Sequence, residues 1–227
     1  SLMLYVRQLV ILFVNLYTVR LVLELLGVVD YGIYAVIGGL VTTLSFLSAT
    51  MASATQRFFS FALGQNDLEK LKKLFSTNLI IYGCIALTGI ILLETVGLWY
   101  VENQLNLPAE RVEAAKYLYH FSVLTFISTI ILTPFLSIII AHEDMQIYAY
   151  ISIVEAVMKL SAVFLLIYIS WDKLELYGVL LFIVSAITSI TYILICIKKY
   201  SECQFRKFYW DKDLLRDVLG FSGWTLF

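Results

Sequence analysis

The sequence predicts an all-α fold, a polytopic bundle of membrane-spanning helices, and three observations carry that prediction. Apolar residues make up 61% of the 227 and charged residues 15%, where soluble domains hold about 45–50% and about 25%. The mean hydropathy is +0.88. The apolar residues also gather into runs of roughly 20, the length that crosses a bilayer as a helix. Alternating strands joined by hairpin turns, the pattern of a membrane β-barrel, do not occur. A formal net charge of -1 gives no basic surface for nucleic acid.

Six spans follow in order. The first covers residues 2–19 and the second 32–55, which is free of charge throughout. The third covers 74–93, the fourth 117–141, the fifth 145–169 and the sixth 176–197. A seventh begins near Leu219, so the chain divides into a helical lobe at 1–197, a linker at 198–218 and the opening of a further helix at 219–227. The linker is basic and aromatic (Phe205, Phe208, Tyr209, Trp210). It reads equally as an interfacial helix or as a tethering loop.

Lys and Arg divide unevenly between the two sets of loops. One set holds Arg57, Lys70, Lys72, Lys73, Lys198, Lys199, Arg206, Lys207, Lys212 and Arg216. The other holds Arg20, Arg111, Lys116 and Lys173. The positive-inside rule places the first set, and with it the N-terminus, in the cytoplasm.

Polar residues inside the spans mark the candidate site. On the first span Arg7, Gln8, Asn15 and Thr18 fall within one arc of roughly 100°. An unpaired polar group in lipid costs several kcal/mol, so this stripe faces protein or water. Helix-to-helix hydrogen bonding explains Asn15 and Thr18 as well as a cavity does. A guanidinium at Arg7 is costlier and points to function. The second span aligns Gly38, Thr42, Ser45, Ala49, Ala52, Ser53 and Gln56, a face suited to close packing or to a cavity wall. The fourth carries hydroxyls at 122, 125, 129, 133 and 137 and a kinking Pro134. On the fifth, Glu155 and Lys159 share a face with Tyr148, Ser152 and Ala162. Glu before Lys at i,i+4 is the favourable order, and each charge lowers the burial cost of the other. Ionisable groups at this depth mark a substrate or ion path by default, and a structural pair is the alternative. Arg7 would form a second cationic wall of the same cavity. His120 reads as interfacial.

No catalytic constellation appears: no nucleophile elbow, P-loop, H-E-x-x-H or paired C-x-x-C. Cys84, Cys196 and Cys203 lack ligand or redox spacing. An enzyme, a metal and a cofactor are therefore not expected.

Three pieces of sequence are more specific. They are R-x-V-L-x-x-L-G-V-x-D-Y-G-I-Y from Arg20 to Tyr34, S-A-T-Q-R-F-x-S-F from Ser53 to Phe61, and L-G-x-x-D from Leu63 to Asp67. The late F-S-G-W at 221–224 joins them. Together they resemble the bacterial polysaccharide-biosynthesis membrane proteins of the O-antigen flippase type, within the multidrug/oligosaccharidyl-lipid/polysaccharide transporter superfamily. The resemblance implies two six-helix lobes around a central cavity, of which this chain would be the first lobe and the opening of the second. It implies alternating-access movement of an undecaprenyl-diphosphate-linked oligosaccharide from the cytoplasmic to the periplasmic leaflet of the inner membrane. The lipid bilayer and other polysaccharide-assembly membrane proteins are the implied partners. On that reading Arg7, Gln8, Asn15 and Lys159 bind cargo, Glu155 couples ions, and Arg20, Asp30, Arg57 and Pro134 are gate or structural residues, Arg20 and Asp30 as a periplasmic-side pair. A cation-coupled drug or metabolite antiporter of the same superfamily is the alternative. A glycan polymerase or ligase would need a large outer loop, and a scaffold would need no cavity charge.

Overall fold

The computed structural model describes residues 2–105 and 107–203. The chain is all-α. Helix α1 (Leu2–Gly64) is followed by α2 (Leu68–Leu92), which runs through a π-turn (Leu93–Gly97) into the short α3 (Leu98–Asn103). A 3-10 turn (Ala109–Arg111) then leads into α4 (Val112–Ala141), α5 (Met145–Tyr168) and α6 (Lys173–Lys199). Five helices are long and apolar enough to cross a membrane, as in a polytopic membrane protein. The expected seventh helix and the basic residues from Arg206 onward lie outside the described residues.

The 63 residues of α1 would make a straight rod of about 95 Å, three times the ~30 Å hydrocarbon thickness. The helix is not straight. Gly27 has φ 80 and ψ 170, and residues on both sides of it (Asn15 and Thr18, then Tyr31 and Thr42) line one cavity. In a rod Asn15 and Thr42 would stand about 40 Å apart. So α1 folds back at Gly27 into two legs, residues 2–26 and 28–64. A Cβ at Gly27 would meet nothing within 4 Å; the left-handed φ alone calls for glycine there.

This corrects the expected loop across 20–31. The helix continues to either side of Gly27, since Leu, Arg and Glu are good helix formers and Arg20 pairs with Glu24 at 3.0 Å one turn on. Other ends also run longer than expected. Asp67 caps α2 by accepting from the Lys70 amide at 3.0 Å, and Asp172 caps α6 by accepting from the Leu174 and Glu175 amides at 3.0 and 3.3 Å. The stretch expected as an outer loop, 94–116, is largely helical. Helix α4 runs through Pro134 unbroken. Its hydroxyls donate to carbonyls such as those of Thr129 and Thr133, and not to Ile130, whose carbonyl the proline frees.

The legs alternate in direction and leave two distinct ends. At the hairpin end, Arg111 joins Asp30 to Asp172, and Lys173 donates to the Leu25 carbonyl at 3.2 Å. Exposed Trp99, Tyr100, Tyr117, Tyr168 and Trp171 lie at this end too, as an interfacial belt would. At the opposite, lysine-rich end, Phe59 and Ala62 pack with Leu71, Phe75, Ile139 and Cys196. There the α4–α5 turn is clasped by the segment after α6: His142 meets Glu202 at 2.5 Å, Lys199 meets Asp144 at 2.8 Å, and Tyr200 donates to Asp144. Between the second leg and α2, Thr55 donates to Asn78 at 2.9 Å, and Asn78 to the Leu74 carbonyl at 2.9 Å. This buried contact ties the two helices together.

Candidate functional site

Helix α5 turns Tyr148, Ser152, Glu155 and Lys159 to one face, and that face meets the polar stripe of the first leg. A cavity of about 570 Å³ lies between them. Asn15 and Thr18 come from the first leg, Tyr31, Tyr34 and Thr42 from the second, Thr125 and Thr129 from α4, and Tyr177 and Ser185 from α6. Glu155 and Lys159 form an ion pair of 2.7 Å, with side chains 31% and 41% exposed. Each is too open for the pair to be a deeply buried structural tie, and together they leave the cavity polar without net charge.

The other walls supply acceptors. Thr125 and Thr129 donate to the Phe121 and Thr125 carbonyls at 2.8 and 3.0 Å, so their lone pairs remain for the cavity. The Thr18 hydroxyl is buried with no partner. Tyr34 packs edge-on against Tyr177 with ring centroids 5.0 Å apart, and Tyr31 lies 6.2 Å from Tyr34. This aromatic wall was not foreseen, because its three tyrosines come from two helices far apart in sequence. A smaller space of about 180 Å³ adjoins it, bounded by Gly38, Ser45 and Ser122. The second leg's small-residue face is thus partly cavity wall, while Ala49 and Ser53 look out of the bundle.

Arg7 and Gln8 do not join that cavity. They border a second one, of about 540 Å³, at the lysine-rich end with Ile140, Met145 and Tyr148. The first-leg stripe is continuous, but its helical rise sets Asn15 about 12 Å beyond Arg7. The Arg7 guanidinium lies 4.5 Å from the centre of the Tyr148 ring and donates to Gln8 at 3.3 Å. Its Nε is buried without a partner. Among the described residues no carboxylate pairs with Arg7. The single cavity expected for Arg7, Gln8, Asn15 and Lys159 is therefore two cavities along one strip.

The remaining candidates lie elsewhere. Arg20 and Asp30 are not paired with each other: Arg20 holds Glu24, while Asp30 is buried and accepts from Arg111 Nε at 2.8 Å and from its Nη2. Arg111 Nη1 reaches Asp172 at 2.5 Å. Burial pushes Asp172 up, but the Arg111 bond and the capping amides outweigh it and leave the carboxyl below the usual range. Arg57 is exposed near the lysine-rich end, and Pro134 is buried in α4. His120 meets Glu94 at 3.1 Å. No group of three or more potential metal ligands occurs among the described residues.

No family model, curated protein or solved structure matches the chain. The geometry therefore stands on its own. Among the described residues it is an apolar helical bundle with a self-neutral polar cavity and another that borders Arg7, a cation without a carboxylate partner there.

Proposed function

We propose that the chain belongs to a transporter that moves a lipid-linked oligosaccharide, carried on undecaprenyl diphosphate, from the cytoplasmic to the periplasmic leaflet of a bacterial inner membrane. One observation carries this reading: Arg7, in a cavity of an apolar bundle, has a buried Nε without a partner and, among the described residues, no carboxylate to neutralise it. A guanidinium in that state is a counter-charge for a diphosphate. Along the same strip, the hydroxyls, Asn15 and the tyrosines of the larger cavity match the hydrogen bonding and stacking needs of sugars. The apolar carrier tail stays in lipid.

Orientation follows from charge. The end with Arg57, Lys70, Lys72, Lys73, Lys198 and Lys199 is the cytoplasmic one under the positive-inside rule, and Arg7 sits near it, where cargo would load. The polar, small-residue face at Ala49 and Ser53 is a poor surface for lipid. It suits a water-filled cleft against a second lobe. The motifs at 20–34 and 53–61 point the same way.

The antiporter alternative rests on Glu155. An antiporter for cationic drugs wants an anionic cavity, whereas here Glu155 is neutralised by Lys159. The test is complementation. The gene carrying Arg7→Ala or Arg7→Lys is placed in a strain lacking its own O-antigen flippase, membrane expression is confirmed, and surface polysaccharide is scored. Restoration by wild type, loss with alanine and partial recovery with lysine support the reading. Equal restoration by wild type and Arg7→Ala removes its basis.

A further inference from the structure

Hydrogen bonding turns the threonines of the larger cavity the same way. Thr42 donates to the Gly39 carbonyl at 3.0 Å, and Thr125 and Thr129 donate to α4 carbonyls at 2.8 and 3.0 Å. Each proton is committed to the backbone, so each oxygen offers its lone pairs to the cavity. Glu155 adds a carboxylate, which only accepts. Its 2.7 Å pair with Lys159 is 31% and 41% exposed and lines the same space. Tyr31, Tyr34 and Tyr177 supply aromatic surface. A volume of about 570 Å³ is far more than an ion needs and lies within the ~300–1,000 Å³ of small-molecule sites.

We propose that this cavity binds an uncharged, hydroxyl-rich sugar, and that the Glu155–Lys159 pair selects against charged ones. Only the sugar's attachment to a lipid carrier rests on the transport reading; the site does not. A neutral sugar brings hydroxyl protons, and an N-acetylated one an amide proton, to a wall rich in acceptors. Its C–H face, slightly positive, suits the negative face of a tyrosine ring. A uronic acid brings a carboxylate with no proton to give. It meets the lone pairs of three threonines and the like charge of Glu155, while Lys159 is already held. A free amino sugar meets the mirror of this: Lys159 repels its ammonium, and Glu155 is already held. Each charged ligand is rejected by an opposing group rather than by a lack of contacts.

A structural ion pair would be indifferent to ligand charge, whereas a selecting pair changes preference when one member is removed. Glu155→Gln leaves Lys159 without its counter-charge and makes the cavity cationic. Lys159→Gln does the reverse. At an effective dielectric of about 20, a unit charge about 6 Å from a ligand charge changes a binding constant on the order of a hundredfold. Both side chains are partly exposed, and screening brings this to the order of tenfold.

The experiment uses the full chain purified in detergent and three probes of matched size. These are the methyl glycosides of N-acetylglucosamine (neutral), glucosamine (as its ammonium) and glucuronic acid (as its carboxylate). Saturation-transfer NMR titrations give their dissociation constants. Wild type is expected to bind the neutral glycoside on the order of tenfold more tightly than either charged one. Glu155→Gln gains on the order of tenfold for the glucuronide, and Lys159→Gln gains similarly for the glucosaminide. Either variant carries the test if the other does not fold. Tyr34→Leu weakens the neutral glycoside on the order of threefold to tenfold, which locates binding in this cavity. No binding of the neutral glycoside, equal binding of all three by wild type, or unchanged preference in both charge variants overturns the proposal. No probe carries a phosphate or a lipid, so these outcomes are independent of the complementation that tests transport.

Discussion

Replacing Gly97 with alanine tests how the π-turn is built. Gly97 closes that turn, and a Cβ there falls far inside contact distance of the Tyr119 hydroxyl oxygen, 3.3 Å from Tyr119 Cζ and 3.5 Å from Leu93 Cδ2. Tyr119 is fully buried, and its hydroxyl donates to the Leu93 carbonyl at 2.6 Å. It cannot swing aside without giving up that bond. Overpacking costs about 1–3 kcal/mol, and a buried group left unpaired costs about 1–3 kcal/mol, so Gly97→Ala is expected to cost about 2–4 kcal/mol. Tyr119→Phe alone loses the hydrogen bond, about 1–2 kcal/mol. The two changes compensate, because phenylalanine removes the colliding oxygen and leaves only the 3.3 Å contact. The double variant should cost less than the sum of the singles by about 1–2 kcal/mol. Reversible unfolding in mixed dodecyl maltoside and SDS micelles measures all four proteins. A Gly97→Ala cost under about 0.5 kcal/mol, or strict additivity, would refute the close approach of α4 to the π-turn.

Other outcomes follow from the same structure. Arg111→Met leaves Asp30 buried with its partner gone and should cost about 3 kcal/mol, while Asp30→Asn added to it recovers most of the loss; SDS titration of both reads this. Gly27→Ala meets no neighbour, yet it forces a non-glycine residue to φ 80, so the same titration should show a loss of about 1–3 kcal/mol. The Asp144 carboxyl is held below its usual range by Lys199, then Tyr200, as Asp172 is by its bonds against burial. Both contribute stability that is complete above about pH 4, the unfolded value, and lost as pH falls toward the folded one. Acid unfolding monitored by circular dichroism should therefore shift to higher pH in Asp144→Asn and Asp172→Asn at constant ionic strength, because the wild-type advantage near pH 5 is removed.

Much of the fold was legible because lipid imposes a simple rule: a spanning helix must be apolar over about 20 residues, and each expected run within the described residues is helical. The ends were not legible in the same way. Hydropathy marks where residues are apolar, whereas helices stop where caps and glycines stop them, at Asp67, Asp172 and Gly27. The site was half legible. Helical periodicity put Asn15 and Thr18 on one face, and Glu155 and Lys159 on another, and the structure brings those faces together. Periodicity carries no depth, however, so Arg7 and Asn15 looked like one site although rise along the helix separates them. Partners across helices were illegible. Asp30 bonds to Arg111 rather than Arg20, because the choice depends on where α4 begins. The tyrosine wall depends on how α6 lies against the second leg of α1.

The central claim is that the strip between the first leg and α5 is wet while the outer face of the same leg lies against lipid. Cysteine accessibility in intact membranes tests it directly. In a background with Cys84, Cys196 and Cys203 replaced, single cysteines are placed at Asn15, which borders the cavity, and at Phe13, which is 67% exposed on the same leg. Both are challenged with a charged, water-soluble maleimide. The account predicts that Asn15→Cys is labelled and Phe13→Cys is not. Equal labelling at the two positions, or a silent Asn15→Cys beside a reactive Phe13→Cys, would contradict it.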